Sequence, residues 1–265
     1  MLKVRVLAAL VFAPAILAAI VCGGQILRCV CFVIVQVLLW EYQRMVLAPQ
    51  DVGLKATGHL GAALATLALW QALPGPWAEL LVPLMPLAAL LVVLARPQPI
   101  ATSMQRAALM LLGVLWSGGL LPYLVRLRER PHDGLALALM GLFCCWAGDT
   151  GAYFAGRAFG KRPLYPQVSP KKTLEGGAGG IAAAVAMALA LRHVLAVPID
   201  AGHIAALGAL GALAGILGDL CESLLKRSVG AKDSSHLIPG HGGFFDRFDG
   251  VAFAVPAVYI YVTLF

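Results

Sequence analysis

An all-α fold of about nine helices embedded in a membrane is what this sequence predicts, on three observations. Hydrophobic residues make up 60% of the 265 and charged residues only 12%, about half the ~25% typical of soluble domains. Mean hydropathy is +0.86. Apolar runs near the ~20 residues that cross a bilayer as helix recur from end to end, and no soluble domain fits between them. Hydrocarbon does not tolerate unpaired backbone groups, so each run is expected to close its hydrogen bonds internally, as helix. The chain reads as one membrane-embedded unit with an N-terminal region over 1–133 and a C-terminal region over 134–265. The second holds nearly all the motif-like polar residues.

Taken in order, spans are expected near 5–22, 24–40, 57–74, 77–95, 104–124, 134–156, 177–197, 201–221 and 248–265. The first opens with Lys3 and Arg5 like a leader peptide, but its apolar run is long and lacks a convincing small-residue cleavage site. It is therefore expected to stay as a span, separated from the next by Gly23-Gly24 alone. With the N-terminus cytoplasmic, the segments near 41–56, 96–106, 157–176 and 222–247 share that side and carry most of the Lys and Arg. The net charge of +7 is thus explained by topology, and nucleic acid is not expected as a partner. Arg126, Arg128 and Arg130 fall on the other side, against the charge rule, and are expected to form a collar at lipid headgroups. The six cysteines lack paired spacing and read as small buried hydrophobes, neither disulfides nor zinc ligands. Gly208, Gly211, Gly215 and Gly218 recur at three- or four-residue intervals and should offer a face for close helix packing.

Three polar clusters stand out of this apolar background. Asp149, Tyr153 and Gly156 share one helical face at the end of a span, where an intramembrane carboxylate needs a cation or a polar substrate as its reason. Next come Gly160-Lys161-Arg162 and Ser169-Pro-Lys171-Lys172-Thr173-Leu-Glu175-Gly176, cations and hydroxyls in a short loop suited to clamping phosphate. Gly156 to Lys161 is one residue short of a P-loop, with Arg162 where a magnesium-binding hydroxyl belongs, so that motif is rejected.

The third cluster runs from Gly218-Asp219 through Glu222, Ser223, Lys226 and Arg227 to Lys232-Asp233, then Ile238-Pro-Gly-His241-Gly242-Gly243-Phe-Phe-Asp246-Arg247-Phe-Asp249. Asp219, Glu222, Ser223 and Lys226 follow i, i+3, i+4, i+7 spacing and share a helix face. Asp246 and Asp249, three apart, align as oxygen donors if the last span begins there. Hard oxygen donors without Cys or paired His favour magnesium, which completes its shell with water and substrate phosphates. The glycines around His241 would let backbone N–H groups approach phosphate, and Arg247 can grip it with two hydrogen bonds.

These residues resemble the phosphatidate cytidylyltransferases, or CDP-diacylglycerol synthases. Ser223-Leu-Leu-Lys226-Arg227, Lys232-Asp233 and Ile238 through Asp249 fit the family signature throughout, while Gly250 stands where members often have Ser. The Asp149-Thr-Gly-Ala-Tyr153 and Ser169 to Gly176 segments are also similar to family motifs, and residues 1–130 match by hydropathy only. The resemblance implies an all-helical, dimeric enzyme of the bacterial inner membrane, with a polar funnel open to cytoplasm and lipid. It further implies a divalent cation, magnesium, alone or with a second cation, held by Asp219 and Asp246 with Asp249 as further ligand or support. CTP and phosphatidic acid are the implied substrates, and CDP-diacylglycerol and pyrophosphate the products.

On that reading Lys226, Arg227, Lys232, Asp233, His241 and Arg247 form the catalytic group. Asp149, Tyr153, Ser169, Lys171, Lys172, Thr173, Glu175, Ser223, Gly242 and Gly243 bind substrate. A phosphate monoester is largely ionised at neutral pH, so His241 is not assigned a general-base role. The rival readings are an ion-coupled transporter using Asp149 and Asp219, and a CTP-dependent lipid-alcohol kinase.

Overall fold

The computed structural model describes residues 2–73, 75–238 and 242–265, with side chains from Leu10 onward. Its helices are α1 (Leu2–Cys22), α2 (Gly24–Val46), α3 (Val52–Leu69), α4 (Gly75–Ala95), α5 (Ser103–Val114), α6 (Tyr123–Arg128), α7 (Gly134–Phe159), α8 (Leu174–Val194), α9 (Ala201–Ser228) and α10 (Phe245–Leu264). A π-helical turn over Leu115–Leu120 lies between α5 and α6, and Ile100–Arg128 makes one span. Among the described residues eight helices are long and apolar enough to cross a membrane, with Leu10–Cys22 a shorter apolar helix beside them. Helices lie at all the expected places, the first as the shorter apolar Leu10–Cys22, while α3 and α8 begin and end several residues before their expected bounds.

Small residues let the C-terminal helices approach closely. A Cβ on Gly180 would lie 2.8 Å from the Gly148 carbonyl oxygen, joining α7 to α8. One on Gly218 would clash with the Asp249 carbonyl oxygen, joining α9 to α10. All four glycines of the repeated set are buried. In lipid no hydrophobic force drives helices together, so such backbone-to-backbone packing is what holds the bundle. Gly250 belongs to the same crossing: a Cβ there would meet Cys145 Sγ at 2.9 Å and the Gly215 backbone at 3.3 Å. Cys31, Cys144 and Cys145 are buried, whereas Cys22, Cys29 and Cys221 are exposed, so only half of the cysteines match the expectation.

The arginines expected to collar the headgroups turn inward to protein partners. Arg128 donates to the Ile20 carbonyl at 2.7 Å and to that of Val21 at 3.1 Å, satisfying acceptors at the open end of α1. Arg126 reaches the Tyr259 hydroxyl at 3.0 Å, and Arg130 pairs with Asp133 at 3.3 Å. Glu129 takes Arg28 at 2.7 Å. These charges fasten helix ends together, which accounts for cations at this end of the bundle.

At the other end, the segment after α7 is a small antiparallel hairpin, β1 (Pro163–Tyr165) with β2 (Ser169–Thr173). It leads into α8 through Thr173, whose hydroxyl accepts the Gly176 N–H at 3.1 Å as the N-cap. The hairpin, the C-terminal ends of α2, α7 and α9, and the start of α10 all meet here.

Candidate active site

The polar face of α9 organises this end. Lys226 Nζ sits 2.7 Å from Glu222 Oε2 and 2.8 Å from Asp246 Oδ1, so one cation ties α9 to α10. Asp246 Oδ2 also accepts the Ser234 hydroxyl at 2.9 Å, the Ser234 N–H at 3.0 Å and the Gly243 N–H at 2.8 Å. Its carboxylate thereby closes the loop between the two helices. Gly242 turns that loop at φ +81°, and a Cβ there would lie 2.5 Å from Asp246 Oδ2, so only glycine suits the position.

Beside this knot lie three carboxylates, Asp219, Glu222 and Asp249, which can each offer one oxygen with all three oxygens within 4.8 Å of one another. Glu222 is 1% exposed. Its Oε2 is held by Lys226, but Oε1 is buried with no hydrogen-bond partner among the described residues. Leaving a buried acceptor unmatched costs about 1–3 kcal/mol, more when it is charged, and a cation among the three oxygens would supply the partner. Oxygens on opposite sides of a magnesium ion stand about 4.2 Å apart, twice the ~2.1 Å bond. The trio is near that size, and its all-oxygen chemistry suits a hard divalent ion. Asp219 is further held by an ion pair with Lys172 of the hairpin and by the Ser223 hydroxyl at 3.4 Å. Asp249 Oδ1 takes its neighbour's Gly250 N–H at 2.7 Å.

Two clefts of different character flank the trio, and Asp149 lines both. One, of about 460 Å³, is walled by Arg157, Lys171, Lys172, Thr173 and Asp219 among others. The second, about 320 Å³, is walled by Phe12, Ile16, Leu142, Trp146 and Phe248, with Asp246, Arg247 and Asp249 at its polar edge.

The remaining expected residues divide by position. Glu175 holds the hairpin turn, accepting the Lys161 and Arg162 N–H groups at 3.1 and 3.2 Å. Ser169 pairs with Tyr165 at the hairpin's tip, and exposed Tyr153 accepts from Arg157 at 3.4 Å. Arg227, Lys232 and Asp233 are exposed on the last turn of α9 and the loop after it. The Gly243 N–H faces Asp246, and His241 lies outside the described residues. Glu222 lies on the α9 face that its spacing predicts, and spacing defines a face but not which oxygen stays unmatched. Glu41, fully buried at the end of α2 and bonded to the start of α10, was missed altogether.

Residues 3–265, nearly the whole chain, match the family model described as the Cytidylyltransferase family. The chain belongs to that family. Among its relatives, the phosphatidate cytidylyltransferase of Pseudomonas aeruginosa is 38% identical, over 97% of this chain and 95% of that one. That of Staphylococcus epidermidis is 30% identical over 98% of each. The Bacillus subtilis enzyme is 39% identical across 58% of this chain, an alignment spanning a little over half (57%) of its own length. As a member of the cytidylyltransferase family the protein is a nucleotidyltransferase, and its helices make it an integral membrane one. Neither the transporter nor the lipid-alcohol kinase reading draws support from these relatives.

Proposed function

We propose that the protein transfers CMP from CTP to phosphatidic acid, giving CDP-diacylglycerol and pyrophosphate. The observation behind this reading is the carboxylate trio around buried Glu222, joined to lysines and set between a basic cleft and an apolar one. An oxygen of the lipid phosphate attacks the α-phosphorus of CTP. As that bond forms, the bond from the α-phosphorus to the oxygen bridging to the β-phosphorus breaks, and pyrophosphate leaves with the electron pair. No covalent enzyme intermediate is required.

Two anions must meet, so the protein's work is positioning and charge neutralisation. Lys171, Lys172 and Arg157 suit the basic cleft to the triphosphate. The apolar cleft suits the lipid, with Arg247 at its edge for the phosphate and Phe12, Ile16 and Trp146 beside the diacylglycerol. Asp219, Glu222 and Asp249 would hold magnesium, which would neutralise phosphate oxygens. Asp246 works one step back, setting Lys226 and the loop. Asp149, between the clefts, orients polar substrate groups.

Most of the twenty Lys and Arg lie at this end of the bundle, which supports a site facing the cytoplasm, where CTP is found. The family resemblance supports a homodimer in a bacterial inner membrane. Purified protein with CTP, phosphatidic acid and magnesium should release one pyrophosphate per CDP-lipid formed, and none when any of the three is left out. Release of CDP instead would establish the kinase reading, and solute flux in liposomes without pyrophosphate the transporter.

A further inference from the structure

We propose that Glu41 is a positioning residue for this reaction: from α2 it holds the loop after α9 and the first turn of α10, and through them Asp246 and Asp249. The inference rests on the reading of the site given above. Glu41 is 0% exposed, and among the described residues no lysine or arginine pairs with it. A buried carboxylate without a cation needs hydrogen-bond donors. All of those found come from one distant stretch: the Ser235 hydroxyl, the Phe244 N–H at 3.1 Å, the Phe245 N–H at 2.6 Å and, longer, the Ser234 hydroxyl at 3.3 Å.

The first N–H groups of a helix have no partner within it. Phe244, at the N-cap of α10, has no side chain able to serve. Glu41 therefore caps α10 from another helix, where its negative charge also meets the positive end of the helix dipole. Ser234 links the two acids. Its single hydroxyl hydrogen favours Asp246 at 2.9 Å over Glu41 at 3.3 Å. Gly243 lies flat over the carboxylate, because a Cβ there would come within 2.6 Å of both Glu41 oxygens. The next residue of α2, Tyr42, packs its ring on Phe245 with centroids 5.9 Å apart, and Trp116 of the π-helical turn packs on the same ring at 5.3 Å. The start of α10 is thus gripped by one charge and two rings from the N-terminal region, and Asp249 is one helical turn further on.

Replacing Glu41 by Gln puts an NH₂ group against backbone N–H donors, so at least one donor loses its acceptor. In Glu41→Gln protein of wild-type helical content, kcat should fall by about 10- to 100-fold, the scale of a small misplacement of reacting groups. KM for CTP should change little, since the basic cleft does not touch this loop, and hydrogen exchange should quicken within residues 233–248 only. Wild-type kcat, or a loss of kcat with unchanged exchange in that segment, would overturn the proposal. If Glu41→Gln does not fold, Ser235→Ala removes one donor to Glu41, together with the hydroxyl oxygen that accepts the Leu237 N–H at 3.1 Å. It should give a smaller loss of kcat with the same local quickening, and wild-type values for both would overturn the proposal equally. Wild-type protein that makes no CDP-lipid would refute the proposed function instead, while the exchange comparison still decides whether Glu41 holds the loop.

Discussion

Glu222 has one oxygen held by Lys226 at 2.7 Å and the other buried without a hydrogen bond among the described residues, and its carboxylate stands beside those of Asp219 and Asp249. Removing the charge while keeping the shape tests that arrangement. Glu222→Gln and Asp249→Asn should each lower turnover by about 100-fold or more, the scale of losing an electrostatic stabiliser of the transition state, with helical content unchanged. Steady-state assays across a magnesium titration check this, and near-normal turnover would remove the trio from the account. Lys226 is a different case, because Glu222 and Asp246 both depend on it. Lys226→Met strands two carboxylates and should destabilise the protein by about 3–5 kcal/mol, read as a lowered thermal midpoint, besides abolishing activity. Asp246 carries contacts that residue spacing does not reveal. Its i, i+3 relation to Asp249 suggests paired ligands, and its oxygens also hold Lys226, Ser234 and Gly243.

Among the elements, the long helices were readable because bilayer thickness imposes their length and composition. The hairpin Pro163–Thr173 was not, since it is short, polar and interrupted by Pro166 and Pro170, and read only as a basic loop. Nor was the π-helical turn Leu115–Leu120, which differs from α-helix only in hydrogen-bond register. It sits where Gly118 meets α3 closely: a Cβ there would lie 2.7 Å from the Ala62 carbonyl oxygen. Glu41 was invisible for another reason. Its partners lie about two hundred residues further along the chain, and periodicity reports only local neighbours. The hairpin's own prediction follows from Glu175, which gathers the Lys161 and Arg162 N–H groups. Glu175→Ala should loosen the strand bearing Lys171 and Lys172, raising KM for CTP several-fold with a smaller change in kcat. A change confined to phosphatidate would contradict the assignment of that cleft.

For the whole molecule, polar chemistry gathers at one end of a bundle whose other end is closed by Arg28, Arg126 and Arg128 on protein partners. The division into two sequence regions is bridged at the site itself, where α2 caps α10. If the basic end faces the cytoplasm, a cysteine placed in the hairpin should react with an impermeant maleimide in inside-out vesicles and be protected in right-side-out ones. The reverse pattern would invert the topology. In the proposed reaction CMP, not a terminal phosphate, passes to the lipid. Reconstituted protein given phosphatidic acid, magnesium and CTP labelled in parallel at the α- or γ-phosphate tests it directly. Transfer of CMP puts α-label in the lipid phase and γ-label in released pyrophosphate, whereas γ-label in the lipid would show that the terminal phosphate is transferred instead.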